Sequence, residues 1–179
     1  MHERRASQGG RRVTADEAAP QRIVIPTSRT APLSATLLGF DFGGKYIGVA
    51  VGDVETGIAS PLAMIAGEAN AERFAKIAAL VAEWRPGRLV VGLPLSMDGA
   101  ESDTTRRARR FARQLEGRFG LPVAFADERL SSAAAEESLR AMGRGGRAHK
   151  HDSHALAAQI ILQAFLDEQR NARGAAHGG

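Results

Sequence analysis

β-forming apolar residues fill positions 37–42 and 46–51, and Gly43, Gly44 and Lys45 between them read as a hairpin-type connection. A second turn over 53–57 leads into a third apolar run, 58–65. From 71 to 84 the apolar positions recur at helical spacing, and the pattern stops before Pro86 and Gly87. Residues 88–92, RLVVG, form a short continuous apolar run of the kind buried in parallel sheets. The spacing then predicts a helix over 101–119 ending at Gly120, and a strand over 122–126. It predicts a further helix over 131–142 stopping at Gly143, and an amphipathic helix over 152–169. The order β-β-β-α-β-α-β-α-α belongs to the α/β class. Three antiparallel strands followed by two fed through helices predict a mixed five-stranded sheet with helices on both faces.

Asp41 breaks the apolar pattern of the first strand, standing between Phe40 and Phe42 beside the bare backbone of Gly39, Gly43 and Gly44. Asp is disfavoured in strands, and an unpartnered buried carboxylate costs several kcal/mol or stays protonated. Two partners fit: a cation held at the strand end, or the backbone amides of a tight turn. Asp127 and Glu128 follow the last strand directly, and Asp152 opens the last helix. In an open α/β sheet these element ends converge where ligands usually bind. Each acid also has a plain reading. Asp152 suits a helix N-cap, and Asp127 with Glu128 suits a surface turn paired to Arg129.

Composition narrows the classes. The 179 residues suit one domain with tails, and the apolar fraction of 44% supplies a core. Residues 1–34, rich in Gly, Pro and Arg, are expected to form a disordered basic tail. Residues 35–169 form the domain, and 170–179 are expected to form a frayed, disordered tail. Without cysteine there is neither a disulfide framework nor a thiolate metal site, which suits a cytoplasmic setting. No apolar run approaches the roughly 20 residues that cross a bilayer, and no apolar stretch follows the Arg-rich start, so neither membrane nor secretory signal is expected.

The net charge of +4 is local in origin. Residues 1–35 hold six arginines against three acids, and Arg170 and Arg173 add two more charges near the end. In the near-neutral body, Arg106, Arg107, Arg109, Arg110 and Arg113 crowd one segment, and Arg144, Arg147 and Lys150 crowd another. Such clusters fit either a phosphate-backbone partner or solvated faces.

Four motifs in order, LGFDFGGKYIGVAVGD (38–53), VVGLPLSMDGAES (90–102), ADERLSSAAAE (126–136) and KHDSHALAAQIILQAFLDE (150–168), resemble the YqgF/RuvX family of the RNase H superfamily. The resemblance covers essentially the whole predicted domain. It implies an RNase H-like fold and a metal-dependent nuclease. The substrate would be precursor 16S rRNA, cut to mature its 5′ end in ribosome biogenesis, or branched DNA, resolved as a Holliday junction. It implies Mg²⁺ or Mn²⁺, as two ions, held by Asp41, Asp152 and an acid of the Asp-Glu-Arg motif. Glu128 is favoured for that role, with Asp127 left open because one residue of register decides which points inward. Lys45 and the arginine clusters (Arg106, Arg109, Arg110 and Arg113; Arg144, Arg147 and Lys150) would hold substrate phosphates. Gly92, Leu93 and Pro94 would place a tight loop beside the metals. The chain departs from the family pattern at Gly44, Tyr46, Gly52 and Ser96, and none of these removes an acid. A monomer or a homodimer fits, since a symmetric junction demands two sites.

Two other patterns fail on physical grounds. Gly39 to Lys45 spells the start of a P-loop, but Tyr46 replaces the metal-binding hydroxyl and a strand follows where a helix must begin. His149, His151 and His154 suggest zinc, but on a helix His154 is expected to face away from Asp152. A non-catalytic nucleic-acid-binding module remains the alternative from another class. An ATP-hydrolysing relative would need a second domain for which the chain is too short.

Overall fold

The computed structural model describes residues 34–67, 69–94, 101–128 and 149–177, with 149–152 and 176–177 described as backbone. Residues 1–33 of the expected N-terminal tail (1–34), the expected helix over 131–142, Ser96, Arg129, Arg144 and Arg147 lie outside the described residues. Five strands, β1 (Thr36–Phe42), β2 (Tyr46–Asp53), β3 (Ile58–Ala66), β4 (Arg88–Leu93) and β5 (Val123–Asp127), form one sheet in the order β3-β2-β1-β4-β5. β1, β2 and β3 pair antiparallel, while β4 joins β1, and β5 joins β4, in parallel. The carboxyl ends of β1, β4 and β5 therefore share one end of the sheet. Among the described residues the helices are α1 (Asn70–Trp84), α2 (Asp103–Phe119) and α3 (His149–His177).

The two faces of the sheet carry different side chains, and this decides where each helix sits. Leu38, Phe40, Ile47, Val49, Leu89 and Val91 project to one side, where they bury Phe74 and Ile77 of α1 and Phe111 and Leu115 of α2. The alternate positions are mostly small. Ala50, Val90 and Ala126 meet Ala158, Ile161, Leu162 and Phe165 of α3. On that side Gly39, Gly48, Gly52 and Gly92 all lie against α3, so the helix rides close to the backbone of the sheet.

Local signals explain the boundaries. α2 starts at a reciprocal cap in which the Ser102 side chain accepts from the Thr105 amide at 3.1 Å. Buried Thr105 also donates its hydroxyl to the Pro94 carbonyl, tying the helix start to the chain leaving β4. Gly120 closes α2 in the left-handed region at φ 65°. Two expectations need correcting. α3 begins at His149, so Asp152 falls inside its first turn and is not the N-cap. The helix also runs on to His177, where a frayed tail was expected beyond 169. Alanines at 172, 175 and 176 favour that extension. Arg170 anchors it by donating to the Thr56 carbonyl at 3.1 Å across Gly57. Among the described residues no helix is long and apolar enough to cross a membrane.

Candidate active site

Strand alternation puts Asp41 on the small-residue face, opposite Gly48 in the β1–β2 register and beneath the first turns of α3. Its carboxylate keeps about a quarter of its surface, 25%, and no backbone amide among the described residues donates to it. The tight-turn reading of this acid therefore fails. What faces it is His154, with Nδ1 3.9 Å from Asp41 Oδ2, too long for a hydrogen bond but close for a charge. On α3 it is therefore His154 that turns toward Asp41, while the Asp152 side chain lies outside the described residues. α3 crosses so tightly that the His154 carbonyl lies against Gly48, which turns this side of the helix onto the sheet. Tyr46 leans on the imidazole, ring centroids 5.1 Å apart.

The same alternation separates the two acids after β5. Ala124 and Ala126 pack toward α3, whereas Val123 joins the other core and Phe125 lies under Arg109 of α2. Asp127 thus continues the α2 side, and Glu128 the side of Asp41. Gly92 provides the room, since a Cβ there would stand 2.7 Å from Glu128 Oε1. Burial first, then the charge of Asp41, then that of Asp127, push the Glu128 carboxyl up to about 7. Burial also raises Asp41, against the attraction of His154. Two half-buried carboxylates, both raised by burial and one of them raised further by the other's charge, are a donor set suited to a divalent cation. No group of three potential metal ligands forms among the described side chains. Asp152 stands in the backbone of the α3 first turn, two residues before His154.

A folded-state value near 7, above the ordinary 4.5, means the native form binds more protons than the unfolded one. In chelator, stability should be full below about pH 4.5 and fall as pH rises through about 7, by about 1–2 kcal/mol once solvent screening is allowed for. Glu128→Gln should flatten this dependence in urea denaturation at several pH values. An equally steep fall in the variant would place the titration elsewhere.

The sequence reading missed Arg73. This α1 residue is 7% exposed and donates from Nε to the Gly67 carbonyl at 2.7 Å and from Nη2 to the Gly44 carbonyl at 2.5 Å. It lies in the first turn of a helix, where the dipole disfavours a cation, and takes only carbonyl partners. It clamps the hairpin that follows Asp41 and presents exposed Lys45. No sequence signal marks this role, because an Arg in an amphipathic helix reads as solvated. Hydrogen bonds from charged donors are worth about 1.5–3 kcal/mol, so Arg73→Met should speed exchange of the Gly43 amide, bonded to the Tyr46 carbonyl at 2.9 Å, by about tenfold or more. Exchange within the β1–β2 ladder should not change.

The predicted substrate cations divide. Arg106, Arg110 and Arg113 are exposed on α2, on the far face of the sheet from Asp41. Arg109 is engaged instead, 2.8 Å from Glu101 Oε1 and 5.4 Å above the Phe125 ring. The Lys150 side chain lies outside the described residues.

Residues 35–168 match the profile of the RuvX family, described as Holliday junction resolvase. The chain belongs to the RuvX family. A relative from Methylobacillus flagellatus is 54% identical over 131 residues, covering 73% of this chain and 90% of the relative. One from Thiobacillus denitrificans is 49% identical over 142 residues, covering 79% and 98%. Both RuvX relatives carry the name "Putative pre-16S rRNA nuclease". Among solved structures, T. thermophilus RuvC in complex with a Holliday junction substrate superposes with a TM-score of 0.51. It is 19% identical and covers 76% of this RuvX chain and 95% of RuvC, a likeness of fold.

Proposed function

We propose that this RuvX protein is a metal-dependent nuclease that hydrolyses phosphodiester bonds of structured nucleic acid, with 5′-end maturation of precursor 16S rRNA as its physiological reaction. The observation that carries the reading is that Asp41, on the α3 face of the sheet, lies near enough to Glu128 for its charge to raise that carboxyl, in space that Gly92 leaves open beside Glu128. The name shared by the relatives, pre-16S rRNA nuclease, supports precursor 16S rRNA as the substrate. A cytoplasmic setting goes with it.

Asp41 and Glu128, with Asp152 from the α3 first turn, would hold the cation. When bound, Mg²⁺ or Mn²⁺, two ions in the family chemistry, polarises the scissile phosphate and eases deprotonation of the attacking water. The protein supplies the rest. Lys45, on the clamped hairpin, meets a phosphate oxygen beside the cut. His154 stands next to Asp41, and Tyr46 packs against its imidazole. The α3 backbone, packed onto Gly48, keeps His154 at a set distance from Asp41.

The test offers purified protein a precursor rRNA fragment and a four-way DNA junction, each with Mg²⁺ or Mn²⁺, and maps the ends. Cleavage of the RNA leaving a 5′ phosphate is expected. Symmetric cuts in the junction alone would favour a resolvase, which would act as a homodimer. Metal-independent binding without cleavage of either would favour a non-catalytic module.

A further inference from the structure

α2 carries six arginines against two acids within Asp103–Phe119, and these are not spread around the helix. At about 100° per residue, Arg106, Arg110, Arg113 and Gly117 fall within about 60° of one another. Thr105, Ala108, Phe111, Ala112 and Leu115 occupy the opposite side and are buried. The row points directly away from the sheet and all four residues are exposed. Asp103 pairs with Arg106, an exposed contact worth little.

Gly117 is the second, independent observation. Glycine in a helix interior costs roughly 0.5–1 kcal/mol relative to alanine, and the usual compensation is a tight packing contact. Among the described residues a Cβ here would meet nothing within 4 Å. No contact among them calls for a glycine, and it continues the arginine row one turn further. Bare backbone in line with three exposed guanidinium groups suits a ligand whose own backbone comes close along the helix.

We infer that the row Arg106–Arg110–Arg113–Gly117 is a second nucleic-acid surface, a track that holds the sugar-phosphate backbone of a distal substrate arm on the face opposite the cleavage cleft. The row spans about 16 Å at the helical rise, which matches about five phosphates at about 3.4 Å per strand position. α2 starts beside Pro94, at the same end of the sheet as Asp41, and runs away from it on the other layer. Nucleic acid lying in the cleft can therefore pass over that end and continue along α2. The track rests on the nuclease reading for the identity of its ligand. It adds that long structured substrates are selected over short ones.

The experiment measures binding by the full chain in chelator, so cleavage plays no part. Its probes are a long RNA duplex and a single-stranded hexanucleotide. For Arg110→Gln with Arg113→Gln, the slope of log affinity against log salt on the long duplex should fall by about 1.8, the loss of two phosphate contacts. The loss should be confined to that probe. Gly117→Ala gives the sharper result: the variant should melt higher than the parent yet bind the long duplex several-fold more weakly. A merely structural glycine would not lose binding as it gains stability. Unchanged slope and affinity on the duplex would overturn the track. Equal losses on both probes would also overturn it, by assigning the arginines to the cleft. A failure of the nuclease reading shows separately, as absent cleavage in metal with duplex binding intact.

Discussion

Asp41→Asn should abolish cleavage while leaving the fold in place. Asparagine keeps the shape and one acceptor oxygen but removes the charge that a divalent cation requires. Loss of a metal's several kcal/mol of transition-state stabilisation corresponds to about a thousandfold or more in rate. Folding should not suffer, because Asp41 is raised by burial and its charge is itself one cause of the raised Glu128 value. Removing it relieves Glu128, whose carboxyl should then titrate lower. The check pairs single-turnover cleavage in Mg²⁺ with urea denaturation in chelator. Undiminished turnover by a folded variant would remove Asp41 from the catalytic set.

Gly48→Ala should be the most damaging single methyl in the described part of the molecule. Its Cβ would stand 1.8 Å from the His154 carbonyl oxygen and 3.2 Å from the Ala155 amide nitrogen. Both are helix backbone, so no rotamer change relieves the clash and α3 must lift. That movement would strip Leu162 and Ile161 from the sheet and draw His154 away from Asp41. Overpacking in cores costs about 1–3 kcal/mol and occasionally more, and a clash with rigid backbone belongs at or above the upper end. Gly44→Ala is the matched control, since nothing lies within 4 Å of its Cβ and the change should stay within about 0.5 kcal/mol. Denaturation midpoints of the two variants decide the matter. Similar midpoints would mean α3 does not depend on the bare glycine face.

Much of the fold was legible because its signals are local. Gly43 and Gly44 mark the hairpin, Pro86 and Gly120 mark helix ends, and period-two or helical spacing marks the elements between. The strand at 88–92 extended by one residue to Leu93, and the helix expected from 101 began at Asp103 because its cap is Ser102. The end of α3 was misjudged at 169. Its anchor is Arg170 reaching Thr56, a residue far away in the chain that no local pattern reveals.

By itself the chain determined the five strands, the turns between them and the middle of each described helix, that acids stand at element ends, and that its motifs resemble those of the RuvX family. Each of these depends on neighbours within a turn or a strand, where backbone preference and side-chain spacing act. Only the tertiary structure decided that Glu128 rather than Asp127 shares a face with Asp41, since that needs the register of β5 beside β4. It alone turned His154 onto Asp41, set Arg73 on the Gly44 carbonyl, and put the α2 arginines on the layer away from the cleft. Those relations join residues distant in sequence, and their distances exist only once the small-residue face has drawn α3 against the sheet.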